Sequence, residues 1–398
     1  MKRSLLLSVA VIVTIGLVCL ALPERASARF KGEVRVGCLI DLTGAFGIQG
    51  KEYAEGILDY VRYVNEKKGG IKRHKWDVLL TDYQYEIPQA VAAYKKFVSE
   101  ERVAAMFGWG TGDTEAMAPM ITKDKVPYLS ASYSAHLTDA TKFPYNFIGS
   151  TSYSTQARVA CQYIKLDWRK WSERSPRVCF MYSETGFGRS PIADGKDEAA
   201  KLGIKVVNDQ IVDLQAADAT SQLRQLQQEG ADYIILQANI TSSAVVTKDL
   251  RALGLSTKLI CLNWSIDEIW LEMVGEAGEG VFGCIPYALW SDTELPGVRL
   301  VHEVSKMYHP KVQKRNSRYV QGFSAAMLME EALKLAGVAP TGKKIKEAFE
   351  TFRNFTTGGI LPPVTYTATS HEPCNSLRIY QVQKGKLVPI TSYIAVSR

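Results

Sequence analysis

From residue 34 onward, short apolar runs alternate with longer stretches in which apolar residues recur every three or four positions. The first run, 34–40, carries Val34, Val36, Cys38, Leu39 and Ile40. The stretch after it, 53–67, lines Ala54, Ile57, Leu58, Val61 and Val64 along one helical face. Gly69 and Gly70 end that helix. Strands at 76–80, 103–107 and 126–129 and helices at 87–100 and 113–123 continue the rhythm. A parallel connection needs a crossover long enough to hold a helix, so this alternation specifies a parallel sheet with helices on both faces. The rhythm breaks near Ser150 and restarts. Helices are expected at 157–168, 190–202, 221–228 and 244–253, and strands at 177–182, 205–209, 233–236 and 258–262. Two such series imply two lobes, each a three-layer α/β/α sandwich, and 398 residues suffice for two cores. Residues 296–350 read as mostly helical. Tyr366 and the runs 377–382 and 386–390 read as antiparallel strands.

The N-terminus carries a different pattern. Lys2 and Arg3 precede an apolar run from Leu5 to Leu22, and Ala26-Ser27-Ala28 has the small-x-small form of a cleavage site. Residues 1–28 read as a secretory signal peptide, which places the mature chain in the periplasm. Removing Lys2, Arg3, Glu24 and Arg25 lowers the formal net charge from +7 to +5. The basic residues are spread out rather than striped with aromatics, which argues against nucleic-acid binding. Cys38, Cys161, Cys179, Cys261, Cys284 and Cys374 show no CxxC spacing, and no histidines cluster with them. No metal site is expected.

Open parallel sheets bind ligands beyond the carboxyl ends of their strands, so the loops entering the helices are the candidates. Two of these regions carry recognisable words. The segment from Val36 to Gly44 and the helix end from Val64 to Ile71, followed by a strand and Asp82, resemble type I periplasmic binding proteins. The leucine/isoleucine/valine-binding group is the most similar branch, and the likeness runs from about Gly32 to the C-terminal strands. The resemblance implies two lobes joined by three hinge strands, in a Venus-flytrap arrangement. The crossings would fall at 149–154, 282–286 and 360–363. Lobe 1 would hold 30–150 and 287–359, and lobe 2 would hold 151–286 and 360–398. It further implies a monomer that captures a small amino acid or carboxylate by hinge closure and docks on the permease of an ABC importer.

The same resemblance nominates ligand contacts. Trp109, Thr111, Gly112 and Thr114 leave a strand and enter a helix, whose free N–H groups suit a carboxylate. Asp113 in that loop is expected to cap the helix. Ala131, Ser132 and Tyr133 match the family's second ligand loop; the plainer reading is a turn whose serines satisfy local backbone. Phe187 takes the place of an aromatic residue over the ligand, and Asn239 follows another lobe 2 strand. Trp264 departs from the pattern. The branched-chain amino-acid binders carry an acid at that position, paired with the ligand's ammonium, and Trp264 cannot accept a hydrogen bond. Asp267 is a nearby candidate to replace that acid. Trp109, Tyr133, Phe187 and Trp264 together would line a site for a carboxylate with an apolar or aromatic body, although Trp109 also reads as core.

Two other readings compete. One is a ligand-sensing module with the same fold. The other is an α/β enzyme, which the sequence disfavours: it has no nucleophile elbow, no metal-ligand spacing and no obvious carboxylate pair. Gly44, Gly47 and Gly50 are spaced GxxGxxG, not as a dinucleotide fingerprint. No cofactor and no catalytic residue is expected.

Overall fold

The computed structural model describes residues 30–169 and 173–396; the expected signal peptide lies outside them. Strands β1 (Gly32–Ile40), β2 (His74–Asp82), β3 (Ala105–Gly108), β4 (Tyr128–Ser130) and β5 (Asn146–Ile148) form one sheet in the order β2-β1-β3-β4-β5. All its pairings are parallel. Helices α1 (Gly47–Lys67), α2 (Ile87–Ser99) and α3 (Thr111–Asp124) connect the strands. Helix α4 (Tyr153–Trp168) then opens the second lobe.

The second lobe continues with β6 (Arg177–Tyr182), α5 (Gly186–Arg189), α6 (Ile192–Lys201), β7 (Lys205–Val206), β8 (Gln210–Ile211) and α7 (Thr220–Gln228). After these come β9 (Tyr233–Gln237), α8 (Ile240–Ala252), β10 (Lys258–Cys261), α9 (Glu268–Val274) and β11 (Phe282–Ile285). Helices α10 (Pro296–Tyr308), α11 (Ser317–Ala336) and α12 (Gly342–Phe349) return to the first lobe. Strands β12 (Ser376–Gln383), β13 (Lys386–Pro389) and β14 (Ile394–Ala395) complete the second sheet. There β12 runs antiparallel to β11, as do β13 and β14 to β12.

The first lobe is locked by the crossing of α1 with α11. A Cβ on Gly56 would stand 2.2 Å from the Tyr319 carbonyl oxygen, and one on Gly322 would stand 2.0 Å from that of Tyr53. Only glycine permits this approach. It lets the buried stripe Tyr53, Ile57, Tyr60 and Val64 pack on α11.

Among the described residues the chain passes between the sheets three times, and the passages lie side by side. The Ser150 hydroxyl donates to the Pro286 carbonyl at 3.4 Å, and the Thr151 hydroxyl to that of Ser376 at 2.9 Å. The third passage falls later than the expected 360–363. Tyr366 is not in a strand; its hydroxyl donates to the Ile148 carbonyl at 2.7 Å. His371 still belongs to the first lobe, with its ring stacked 3.8 Å from that of Phe147. The chain joins the second sheet only at Ser376.

Candidate functional site

The carboxyl ends of the parallel strands of both sheets face one another. Their loops meet at a small cavity lined by Phe46, Tyr85, Trp109, Gly110, Thr111, Tyr153, Phe187 and Trp264. The lobes are closed upon each other, and the free space is about 10 Å³, the scale of one water molecule. Six of the eight lining residues are aromatic. Trp109 and Trp264 meet edge to face at 5.0 Å, Phe46 and Phe187 at 5.3 Å, and Tyr153 and Phe187 at 5.5 Å. Edge-to-face packing of this kind is a favoured arrangement of aromatic rings and makes the cavity wall predominantly apolar.

The expected residues divide between the cavity wall and its support. Trp109, Thr111, Phe187 and Trp264 line the cavity. Ser132 backs Thr111, their hydroxyl oxygens 2.6 Å apart. The Thr114 hydroxyl donates to the Gly110 carbonyl at 2.5 Å, and Gly112 lies against Ile87. Ala131 is buried, and its carbonyl accepts from the Tyr153 hydroxyl at 3.4 Å. The Tyr133 hydroxyl accepts from Gln321 at 2.5 Å, and its ring centroid is 6.4 Å from that of Trp264. Asn239 caps α8 and donates across the cleft to the Ala45 carbonyl at 2.8 Å.

Phe46, Tyr85 and Tyr153 were not anticipated. Phe46 and Tyr85 obey the strand-end rule: one precedes α1 after β1, the other follows β2. Tyr85 also sits at φ 62°, a left-handed conformation that costs energy for a bulky residue and recurs at ligand clamps.

Two acids depart from expectation. Asp113 does not occupy the cap position of α3. That position is Gly110, and no side chain caps it. Asp113 lies inside the first turn, 2% exposed; its Oδ1 accepts from the Tyr83 hydroxyl at 2.9 Å and its Oδ2 has no partner. Burial raises its pKa to about 7 against the opposing pull of the Tyr83 hydrogen bond.

Asp267 is not available to a ligand's ammonium. It caps α9 through the Trp270 N–H at 2.8 Å and pairs with Arg318 at 3.0 Å, both side chains fully buried. Arg318 reaches from α11 in the other lobe. It also donates to the Asn263 carbonyl at 2.7 Å, and its guanidinium carbon stands 4.5 Å over the Trp264 ring. The place where an acid was expected is thus an indole backed by a neutralised cation.

Glu55, Asp59 and His309 also converge, with ring-nitrogen contacts of 3.2 and 2.9 Å, outside the cavity lining. Arg315 forks onto Glu55 at 2.7 and 2.9 Å, so that carboxylate already holds a guanidinium and is not an open donor.

Residues 33–386 match the family model described as periplasmic binding protein. The chain belongs to the periplasmic binding proteins. A branched chain amino acid ABC transporter protein from Thermus thermophilus, solved with bound valine, superposes with a TM-score of 0.86 at 23% identity. The alignment covers 92% of this chain and 97% of that one. An ABC transporter substrate binding protein from Aeropyrum pernix gives 0.84 at 30% identity, covering 92% and 97%. Leu/Ile/Val-binding protein homolog 7 of Brucella suis is 23% identical over 230 residues, 55% of each chain; this periplasmic binding protein thus spans about half the length of the curated relatives it matches. No helix among the described residues is long and apolar enough to cross a membrane.

Proposed function

We propose that this periplasmic binding protein captures a small carboxylate with an aromatic or apolar body and delivers it to an ABC importer. The carrying observation is the pairing of an uncapped helix N-terminus at Gly110–Thr111 with an aromatic wall. The first turn of α3 offers N–H groups and a positive dipole end to an anion. Phe46, Tyr85, Phe187 and Trp264 enclose whatever is attached to it. An ammonium group held in the same closed cleft would need an acid opposite it. Trp264 and the Arg318–Asp267 pair supply none.

Capture works by closure. The two walls meet only in the closed form, so a ligand touching both favours that form. Cross-lobe bonds assist: Gln49 to the Trp264 carbonyl at 3.1 Å, Asn239 to the Ala45 carbonyl, and the Ser134 and Ser190 hydroxyls at 2.5 Å. Cleavage of residues 1–28 would release the chain as a monomer outside the cytoplasmic membrane, where the permease is its partner.

The test is a melting-temperature screen with benzoate, 4-hydroxybenzoate, octanoate, valine and benzamide, since a ligand of the folded form raises Tm by mass action. Benzoate or 4-hydroxybenzoate is expected to raise Tm, and benzamide, the uncharged analogue, is not. A response to valine alone would replace the aromatic reading with an amino-acid one. Silence from every carboxylate would remove the anion.

A further inference from the structure

The α3 turn offered above to an anion already contains an acid. A Cβ on Gly110 would lie 2.1 Å from Asp113 Oδ1 and 2.8 Å from both the Tyr83 hydroxyl and a Tyr85 ring carbon. Asp113 therefore stands directly behind the cavity wall formed by Gly110 and Tyr85. Its carboxyl is buried, and one oxygen has no partner. The titratable groups acting on it are Tyr83 and Tyr85 from the β2 end, Tyr128 on β4, and Glu115 on its own helix. None of these is a cation.

Two carboxylates sharing a dry site cannot both ionise at low cost. A ligand carboxylate at the α3 N-terminus would be such a second charge. We propose that Asp113 is a proton-coupled specificity residue, which must be neutral for an anionic ligand to bind, so that capture of a carboxylate takes up one proton at its unpartnered oxygen. The proton comes from solvent and is released when the ligand leaves. This rests on the carboxylate reading of the cleft. It adds that affinity falls as pH rises through neutrality.

The experiment measures the dissociation constants of benzoate, 4-hydroxybenzoate, octanoate and valine at pH 6 and pH 8. The proteins are wild type, Asp113→Asn and Tyr83→Phe. For a group titrating at about 7, wild-type binding of the responding carboxylate should weaken about tenfold between the two pH values. Asp113→Asn, neutral at both, should show no such change. Tyr83→Phe removes a bond that favours the ionised form, so it should move the midpoint to higher pH; this arm holds even if the Asn variant does not fold. Equal wild-type affinity at pH 6 and 8 overturns the proposal while leaving the carboxylate reading intact. If only valine binds and Asp113→Asn abolishes it, Asp113 is an ammonium partner and the proposal is overturned. If none of the four binds at either pH, the carboxylate reading fails and takes the proposal with it.

Discussion

The two walls of the cleft differ in what their backbones leave unpaired. On the lobe 2 side, four helices near the facing loops begin with a side-chain cap. Ser152 accepts from the Thr155 N–H, Thr185 from Gly188, Asn239 from Ser242 and Asp267 from Trp270. On the lobe 1 side, α3 begins at Gly110 with no side-chain cap. One wall therefore presents rings, and the other presents rings together with open N–H donors. A charged ligand has its electrostatic reason to land on lobe 1, and lobe 2 has mainly apolar area to add when it closes. The order of events follows from that asymmetry: anchoring first, then covering.

The largest expected effect tests the covering step. Arg318 and Asp267 belong to different lobes and are both fully buried in the closed form. Removing one member of such a pair leaves a buried charge uncompensated, at a cost of about 3 kcal/mol or more. Parting the lobes would rehydrate that charge, so the cost falls on the closed form. Asp267→Asn is expected to weaken ligand affinity about a hundredfold by calorimetry and to enlarge the radius of gyration of the ligand-bound protein in X-ray scattering. Unchanged affinity would mean that the pair survives opening and plays no part in closure.

Trp264→Ala comes next. The indole lines the cavity, meets Trp109 and Tyr133, and shields Arg318. Loss of a buried aromatic anchor of this kind costs about 2 kcal/mol in binding, or roughly thirtyfold. The association rate should change little and the dissociation rate much, because lobe 2 acts after the ligand has landed. A loss confined to the association rate would reverse the order of events drawn above.

How much of this asymmetry a sequence can display depends on how local its cause is. The alternation of apolar runs with helical stretches is local, and it located both sheets. The strand-end rule is nearly so, and together with the family resemblance it pointed to Trp109, Thr111, Phe187 and Trp264, all of which reach the cavity. Tyr85 obeys the same rule, just past the end of β2, but its left-handed backbone is called for by nothing in the neighbouring residues. Asp267 was misread because its partner lies 51 residues away, on a helix of the other lobe. Asp113 looked like a cap because its residue type and place suit one. The cap position falls instead on Gly110, and Tyr83, from another strand end, holds the carboxyl inward. The third passage between the lobes was placed too early because Tyr366 and His371 reach back to the first sheet through side chains, which no periodicity records.

The smallest expected effect is at Thr111, and it separates a ligand contact from a local tie. Thr111 and Ser132 share one short hydrogen bond in a buried place. Thr111→Val removes a hydroxyl and leaves Ser132 without that partner, so some stability is lost whatever the ligand does. Replacing both, as Thr111→Val with Ser132→Ala, removes the orphan and should return most of the lost melting temperature. Ligand affinity distinguishes the roles. If the Thr111 hydroxyl touches the ligand carboxylate, both variants bind about fivefold more weakly, near 1 kcal/mol for one hydrogen bond, and the double variant recovers none of it. If affinity recovers along with the melting temperature, the hydroxyls only brace the loop. The anchor on lobe 1 would then be the α3 backbone alone, and the two walls would differ in their N–H groups and in nothing else.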